Sequence, residues 1–220
     1  MPRDSHSRPS IAALGEADYP RAAEVLARAF RDNPLNRAVI RSRNPSLRMR
    51  CNLHGMRALL PVAQAHGRAL VARVKGQLAG GLIAAPPFCY PLPAPSLVSR
   101  IRCLLGQGWG VAHRWGQVFE LLDALHPTEP LDYLGSLGVE PALQRRGVGT
   151  ALLDWWLAET DLAAAGAYLE TDDPENLRFY GRRGFEVVGE TEILGVRIWR
   201  MRRPARRPEA RQRALGFAND

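Results

Sequence analysis

The sequence predicts a mixed α/β chain of the α+β kind: a mostly antiparallel sheet flanked by helices and holding one parallel strand pair. Three observations carry this. Between Ser10 and Met201 the apolar residues switch repeatedly between helical and strand spacing. Tight turns at Lys75-Gly76-Gln77 and Leu194-Gly195 each join two short apolar runs, the pattern of antiparallel hairpins. From Leu131 to Glu170 a strand, a long helix and another strand follow in order, and a strand–crossover–strand unit implies a parallel pair.

The elements follow from local signals. Ser10 to Leu14 reads as a first strand. Asp18 is placed to cap a helix with Pro20 in its first turn, and Ala22, Val25, Leu26, Ala29 and Phe30 recur at helical spacing until Asn33-Pro34 stops them. Leu47 to His66 is a second helix ended by Gly67. Ala69 to Val74 and Leu78 to Ala84 form the first hairpin. Pro86 to Pro95 is too proline-rich for a regular element and reads as an ordered loop or lid. Leu97 to Leu125 is helical with a break near Gly106, Gly108 and Gly110, and Pro127 to Pro130 is a loop. Leu131 to Val139 is a strand whose alternation sets Asp132, Leu134 and Ser136 on one face and Tyr133, Gly135 and Leu137 on the other. Gly147 to Ala165 is a helix ended by Gly166, with Trp155 and Trp156 both read as core. Ala167 to Glu170 is a strand, Pro174 to Arg183 a short helix ended by Gly184, and Phe185 to Ile193 and Val196 to Met201 the last hairpin.

Composition bounds the function. The 220 residues are 46% hydrophobic, an ordinary globular value that leaves out disordered and fibrous classes. One domain over residues 9–203 and a basic, poorly ordered tail over 204–220 is the expected organisation. The formal charge is +8, and Lys75 is the single lysine among the 30 basic residues. Arginines crowd the C-terminus from Arg197 to Arg213, which reads first as a solvated tail and only second as a nucleic-acid contact. Cys51, Cys89 and Cys103 are odd in number and far apart, so no disulfide framework is expected. The five histidines lack zinc-type spacing, and no metal is expected. No apolar leader and no membrane-length apolar run is present, so a cytoplasmic location and no membrane partner are expected.

The stretch that points to chemistry is Val139-Glu140-Pro141-Ala142-Leu143-Gln144-Arg145-Arg146-Gly147-Val148-Gly149-Thr150. A strand ends, a proline turn follows, and two arginines and two glycines open a long helix. The first amides of a helix lack internal partners and carry the positive end of its dipole. Glycine lets a ligand approach the backbone closely. The combination suits a pyrophosphate, although a plain glycine-containing helix start with surface arginines reads equally well from these residues alone. A P-loop is excluded because no lysine follows the glycines. A dinucleotide fingerprint fails because Leu152 stands where its third glycine belongs, and because a polar turn separates the strand from Gly147.

Gln144-Arg145-Arg146-Gly147-Val148-Gly149 resembles the Q/R-x-x-G-x-G/A motif of the GNAT superfamily, the acyl-CoA-dependent N-acetyltransferases. A second block is similar too: Tyr168-Leu169-Glu170-Thr171, then Asn176-Leu177-Arg178-Phe179-Tyr180, then Gly184-Phe185-Glu186-Val187. The resemblance is strong from Leu131 to Val188; before that only the order of elements fits. It implies a sheet that splays between the strands at Leu131–Val139 and Ala167–Glu170. The pantetheine arm of acetyl-CoA would lie in the gap, on backbone near Leu137 and Val139. The pyrophosphate would rest on the segment Gln144, Arg145, Arg146, Gly147, Val148, Gly149 and Thr150, with one of the two arginines on phosphate. Asn176, Phe179 and Tyr180 would lie near the thioester.

Amine acetylation needs a base, because an aliphatic amine has a pKa near 10 and is almost wholly protonated at neutral pH. It gains from an acid near the departing sulfur. Tyr180 is the candidate acid, against a packing role beside Phe179. Asn176 either bonds the pantetheine arm or caps its helix. Asp132 is the candidate base, directly or through water past Ser136, against an ordinary surface role. Glu140 reads as a solvated turn residue, and Asp172 and Asp173 as helix caps. The functions weighed are acetyl transfer to a primary amine of a small molecule or peptide by direct attack in a ternary complex, a non-catalytic acyl-CoA-binding module, and nucleic-acid binding by the tail. A monomer or a homodimer is expected.

Overall fold

The computed structural model describes residues 8–206; the expected basic tail lies, from residue 207 on, outside the described residues. Seven strands form one sheet: β1 (Ser10–Ala13), β2 (Arg68–Val74), β3 (Gln77–Ala85), β4 (Asp132–Val139), β5 (Ala167–Thr171), β6 (Glu186–Ile193) and β7 (Val196–Arg203). Their spatial order is β1-β2-β3-β4-β5-β7-β6, and every neighbouring pair is antiparallel except β4 with β5.

The helices are α1 (Tyr19–Ala29), α2 (Pro34–Ile40), α3 (Pro45–His66), α4 (Leu97–Gln107), α5 (Trp109–Leu125), α6 (Val148–Leu162) and α7 (Pro174–Gly181). Helix α1 ends at Ala29, ahead of Asn33-Pro34, and Pro34 instead opens α2, a short helix not expected from the sequence. Proline at the first helical position loses nothing, since its missing N–H would have no partner there. Gly108, at φ 83°, separates α4 from α5.

Each sheet face has its own core. On one face α6 buries Val148, Leu152, Leu153, Trp156 and Leu157 against Leu82, Ala84, Leu134 and Leu169, and α7 adds Tyr180. Trp155, its neighbour, is partly exposed rather than core, because the helical twist turns it away from the sheet. On the other face α1 and α3 cover Val71, Leu78 and Ile83. At the β7–β6 end α2 and α5 cover Ile193 and Ile198. Helix α1 comes very close to β4: a Cβ on Gly138 would lie 2.8 Å from Leu26 Cδ2 and 3.0 Å from Ala29 Cβ, so a side chain there would push the helix off the sheet.

The middle of β4 departs from regular alternation. Ile83 pairs with Ser136 and Ala84 with Leu134, so Gly135 is an extra residue on β4 and forms a bulge. The bulge corrects the expected face assignment. Leu137 and Val139 rejoin Leu134 on the α6 face, and Ser136 moves to the face of Tyr133. No path past Ser136 therefore leads from Asp132.

Asp132 itself is 1% exposed. Its carboxylate accepts from Trp156 Nε1 at 3.0 Å, from the Thr160 hydroxyl at 2.9 Å and from Arg68 Nη1 at 2.9 Å. With three donors and no open side, it fits an anchor of α6 to β4 and β2 better than a base that must reach an acceptor. Asp132→Ala would strip Trp156 Nε1 and Arg68 Nη1 of their acceptor, the Thr160 hydroxyl keeping the Trp156 carbonyl at 3.0 Å, and is predicted to lower unfolding free energy by about 3 kcal/mol in urea titration. Asp132→Asn is predicted to destabilise less and to leave the pH dependence of any turnover in place.

Candidate active site

The parallel pairing of β4 with β5 is short. Asp132, Tyr133 and Leu134 face Ala167, Tyr168 and Leu169, and there it ends. Past the Gly135 bulge β4 stays with β3 alone, so one backbone edge of β4 opens onto a wedge. The Glu140 N–H points to Ala79 O on β3 at 2.8 Å. Backbone groups alternate sides along a strand, so those of Leu137 and Val139 point into the wedge. Gln144 Nε2 reaches back to the Val139 carbonyl at 3.3 Å.

The wedge leads to the start of α6. Gln144 to Gly147 form an irregular turn in which Arg145 has φ 60° and Gly147 φ 83°. Such left-handed turns gather successive N–H groups into an anion-binding concavity. Gly147 caps α6 without a side-chain bond, and a Cβ on it would meet nothing within 4 Å, so its surroundings are open. The first amide with a partner in the helix is Ala151, to Gly147 O at 2.9 Å, which leaves Val148, Gly149 and Thr150 as free donors at the dipole's positive end. Gly149 lies between Val139 and Phe179; a Cβ there would stand 3.4 Å from Val139 Cγ2. The Arg145 side chain is 89% exposed and 3.7 Å from Glu175, and Arg146 is exposed as well. Glu140 is not a solvated turn residue. Arg28 of α1 donates to it from Nε at 3.0 Å and from Nη2 at 2.7 Å, which fixes the turn that begins the cradle.

Helix α7 supplies the other wall. Asp173 caps it by accepting from Glu175 N at 2.9 Å. Asp172 does not cap it; its carboxylate accepts from Leu35 N at 2.8 Å and so ties β5 to α2. Asn176 Nδ2 donates to the Thr171 hydroxyl at 3.0 Å. Tyr180 is buried, with its ring against Phe179 and Phe185 at 5.1 and 5.8 Å. Burial first, and the nearby Asp172 second, push its phenol well above the ordinary value, so it stays protonated as a hydrogen-bond donor.

The sequence reading missed the face opposite α6. There Tyr133 and Tyr168, paired across the parallel strands, stand beside Glu170, the first β5 residue past the pairing. His126, just after α5, stacks on Tyr90 of the proline-rich loop at 3.7 Å and meets the edges of Tyr133 and Tyr168 at 5.0 and 5.2 Å. Burial pushes the Glu170 carboxyl up to about 7, against the neighbouring Tyr133 and Tyr168 hydroxyls and Arg200, which pull it down. Burial also lowers the basicity of His126. A signal was present in the sequence: strand alternation puts Tyr168 and Glu170 on one face, leaving a carboxylate on an inward aromatic face.

Residues 107–187 match the family model for an acetyltransferase (GNAT) domain. Solved structures share the fold along most of the chain. An acetyltransferase of Corynebacterium glutamicum, described as a histone acetyltransferase and related acetyltransferase, is 21% identical with a TM-score of 0.70 and covers 92% of this chain and 99% of its own. An N-acetyltransferase of Staphylococcus aureus is 15% identical at TM-score 0.55, over 88% of this chain and 99% of its own. The ribosomal-protein-alanine N-acetyltransferase of Escherichia coli is 14% identical at TM-score 0.54, over 93% and 98%. The GNAT resemblance read at Gln144–Gly149 is thus met in sequence over the central segment and in fold over most of the chain. Among the described residues no helix is long and apolar enough to cross a membrane, and no group of three or more His, Cys, Asp or Glu is placed to hold a metal.

Gly147→Ala forces a Cβ onto a left-handed residue and is predicted to cost about 1 kcal/mol of unfolding free energy, read by urea titration. Glu170 holds its proton more tightly folded than unfolded, so its contribution to stability is present at pH 4 and is lost as pH rises toward about 7. Glu170→Gln is therefore predicted to raise Tm relative to the parent at pH 8 and to change it little at pH 4.

Proposed function

We propose that the chain is an N-acetyltransferase that moves an acetyl group from acetyl-CoA to a primary amine of a small molecule by direct attack in a ternary complex. The observation that carries this is the early end of the β4–β5 pairing at Leu134 and Leu169, with free backbone groups leading from there to the amide cradle at Gly147. A linear donor with amide groups along an arm and a pyrophosphate at its far end fits both parts at once. On this reading Leu137 and Val139 bond the arm, and the amides of Val148, Gly149 and Thr150 take the pyrophosphate. Arg145 and Arg146 sit exposed at its rim, Arg145 3.7 Å from Glu175. Phe179 and Asn176 line the α7 side.

Glu170 replaces Asp132 as the base in this mechanism. It lies past the end of the strand pairing on the face away from α6, and its carboxyl titrates at about 7, close to working pH. Glu170 takes a proton from the ammonium. The amine nitrogen then forms a bond to the thioester carbon as the carbon–sulfur bond breaks. On this reading the second amine proton ends on sulfur, and the Tyr180 hydroxyl donates a hydrogen bond to it. A thiol has a pKa near 8.5. The raised phenol therefore serves better as a strong hydrogen-bond donor to the leaving thiolate than as a full proton source.

Because Glu170 works as the carboxylate, kcat/KM is predicted to rise with pH through about 7 and then level. Glu170→Gln is predicted to lose that limb and about 10²–10³-fold in kcat, and Tyr180→Phe about 10²-fold, by thiol release from acetyl-CoA with an amine panel. Acetyl-CoA binding without turnover on any amine would instead favour a binding module.

A further inference from the structure

Among the described residues the buried side-chain polar atoms left without a hydrogen-bond partner are His126 Nδ1, Tyr168 Oη, Glu170 Oε1 and Arg200 Nε. Buried polar atoms are nearly always paired, so each orphan needs a reason. Here one reason serves for all four, because they fall in one cluster. Glu170 and Arg200 are direct cross-strand neighbours on β5 and β7. Tyr168 lies two residues before Glu170 on the same face, and His126 meets the edge of the Tyr168 ring at 5.2 Å. Tyr90 and Tyr133 complete an aromatic wall.

Glu170 and Arg200 carry opposite charges at facing positions, the usual arrangement for a cross-strand pair. Nevertheless they form no salt bridge. The Arg200 guanidinium leans away over β6, where a Cβ on Gly189 would overlap Arg200 Nη2. Glycine at 189 is thus what lets Arg200 take this course. The two charges stand side by side, each with a buried atom still seeking a partner.

We propose that this cluster is the acceptor seat, and that its acceptor carries a carboxylate on the carbon next to the amine: a free α-amino acid. This rests on the acetyltransferase reading above. The ammonium of such a molecule meets Glu170 and the aromatic wall, where rings attract cations. Its carboxylate takes the Arg200 Nε–H, and Tyr168 Oη and His126 Nδ1 each have hydrogen-bonding capacity for the remainder. An amine without the carboxylate leaves Arg200 unmet in a buried place, and a site built around a polar group rejects ligands that lack it. The seat is also on the correct side for the chemistry, since Glu170 stands at the mouth of the wedge where the β4–β5 pairing ends.

The test uses the full chain saturated with coenzyme A, so that binding is read without turnover. Calorimetry compares proteinogenic amino acids with their primary amides and with the matched decarboxylated amines. At least one amino acid is expected to bind tenfold or more tighter than both its amide and its amine, and Arg200→Gln is expected to erase that difference while still binding coenzyme A. Equal affinity across the three forms, no binding by any amino acid, or a preference that survives Arg200→Gln would overturn the proposal. Coenzyme A binding is measured first, in its own titration of the free chain, so a failed donor site and a failed acceptor seat give different results.

Discussion

The structure depends on one constraint: β4 cannot stay beside β5 beyond Leu134. Gly135 inserts an extra residue into the β3–β4 register, the strand twists there, and the parallel ladder stops after three residue pairs. An interior strand edge with no strand beside it is costly unless something else satisfies it. At the far end of the same opening, Arg145 and Gly147 take left-handed backbone and α6 presents its free amides. A single wedge therefore joins an unpaired strand edge to an anion cradle, and the proposed donor is a molecule with both complements.

The ionic groups around the wedge divide into two kinds. Some are fully engaged and hold geometry. Asp132 fastens α6 to the sheet through Trp156 and Thr160, Glu140 is clamped by Arg28 at the turn, and Arg203, buried at the end of β7, is bidentate to Asp161 at 2.6 and 2.8 Å. Others are left open. Glu170 and Arg200 keep buried atoms without partners, and Arg145 and Arg146 project their side chains outward beside the cradle. Engaged groups are fixed in place, which suits scaffolding. Open groups have capacity left for a guest, which suits binding and proton transfer.

What was legible in the sequence was local. The cradle at Gln144–Gly149 is written in consecutive residues, and strand, turn and helix N-terminus each have short-range signals. The two hairpins were equally plain from their turns. What was not legible depended on distant partners. The bulge at Gly135 exists only in register with β3, so the alternation read along β4 failed beyond it. Asp132 looked free because its donors, Arg68, Trp156 and Thr160, lie 64, 24 and 28 residues away. Glu170 was passed over because its tyrosine neighbour Tyr133 comes from another strand. Helix α2 was hidden because Pro34 signals both an end and a beginning.

Backbone-resolved hydrogen exchange with and without acetyl-CoA reads the open edge of β4 and the cradle amides in one experiment. Acetyl-CoA is expected to slow exchange at the amides of Leu137 and Val139, on the open edge of β4, and at Val148, Gly149 and Thr150, at the start of α6, with little change along β1 and β2. Unchanged exchange at both sets of amides, with acetyl-CoA in large excess over a folded protein, would contradict the proposed donor site.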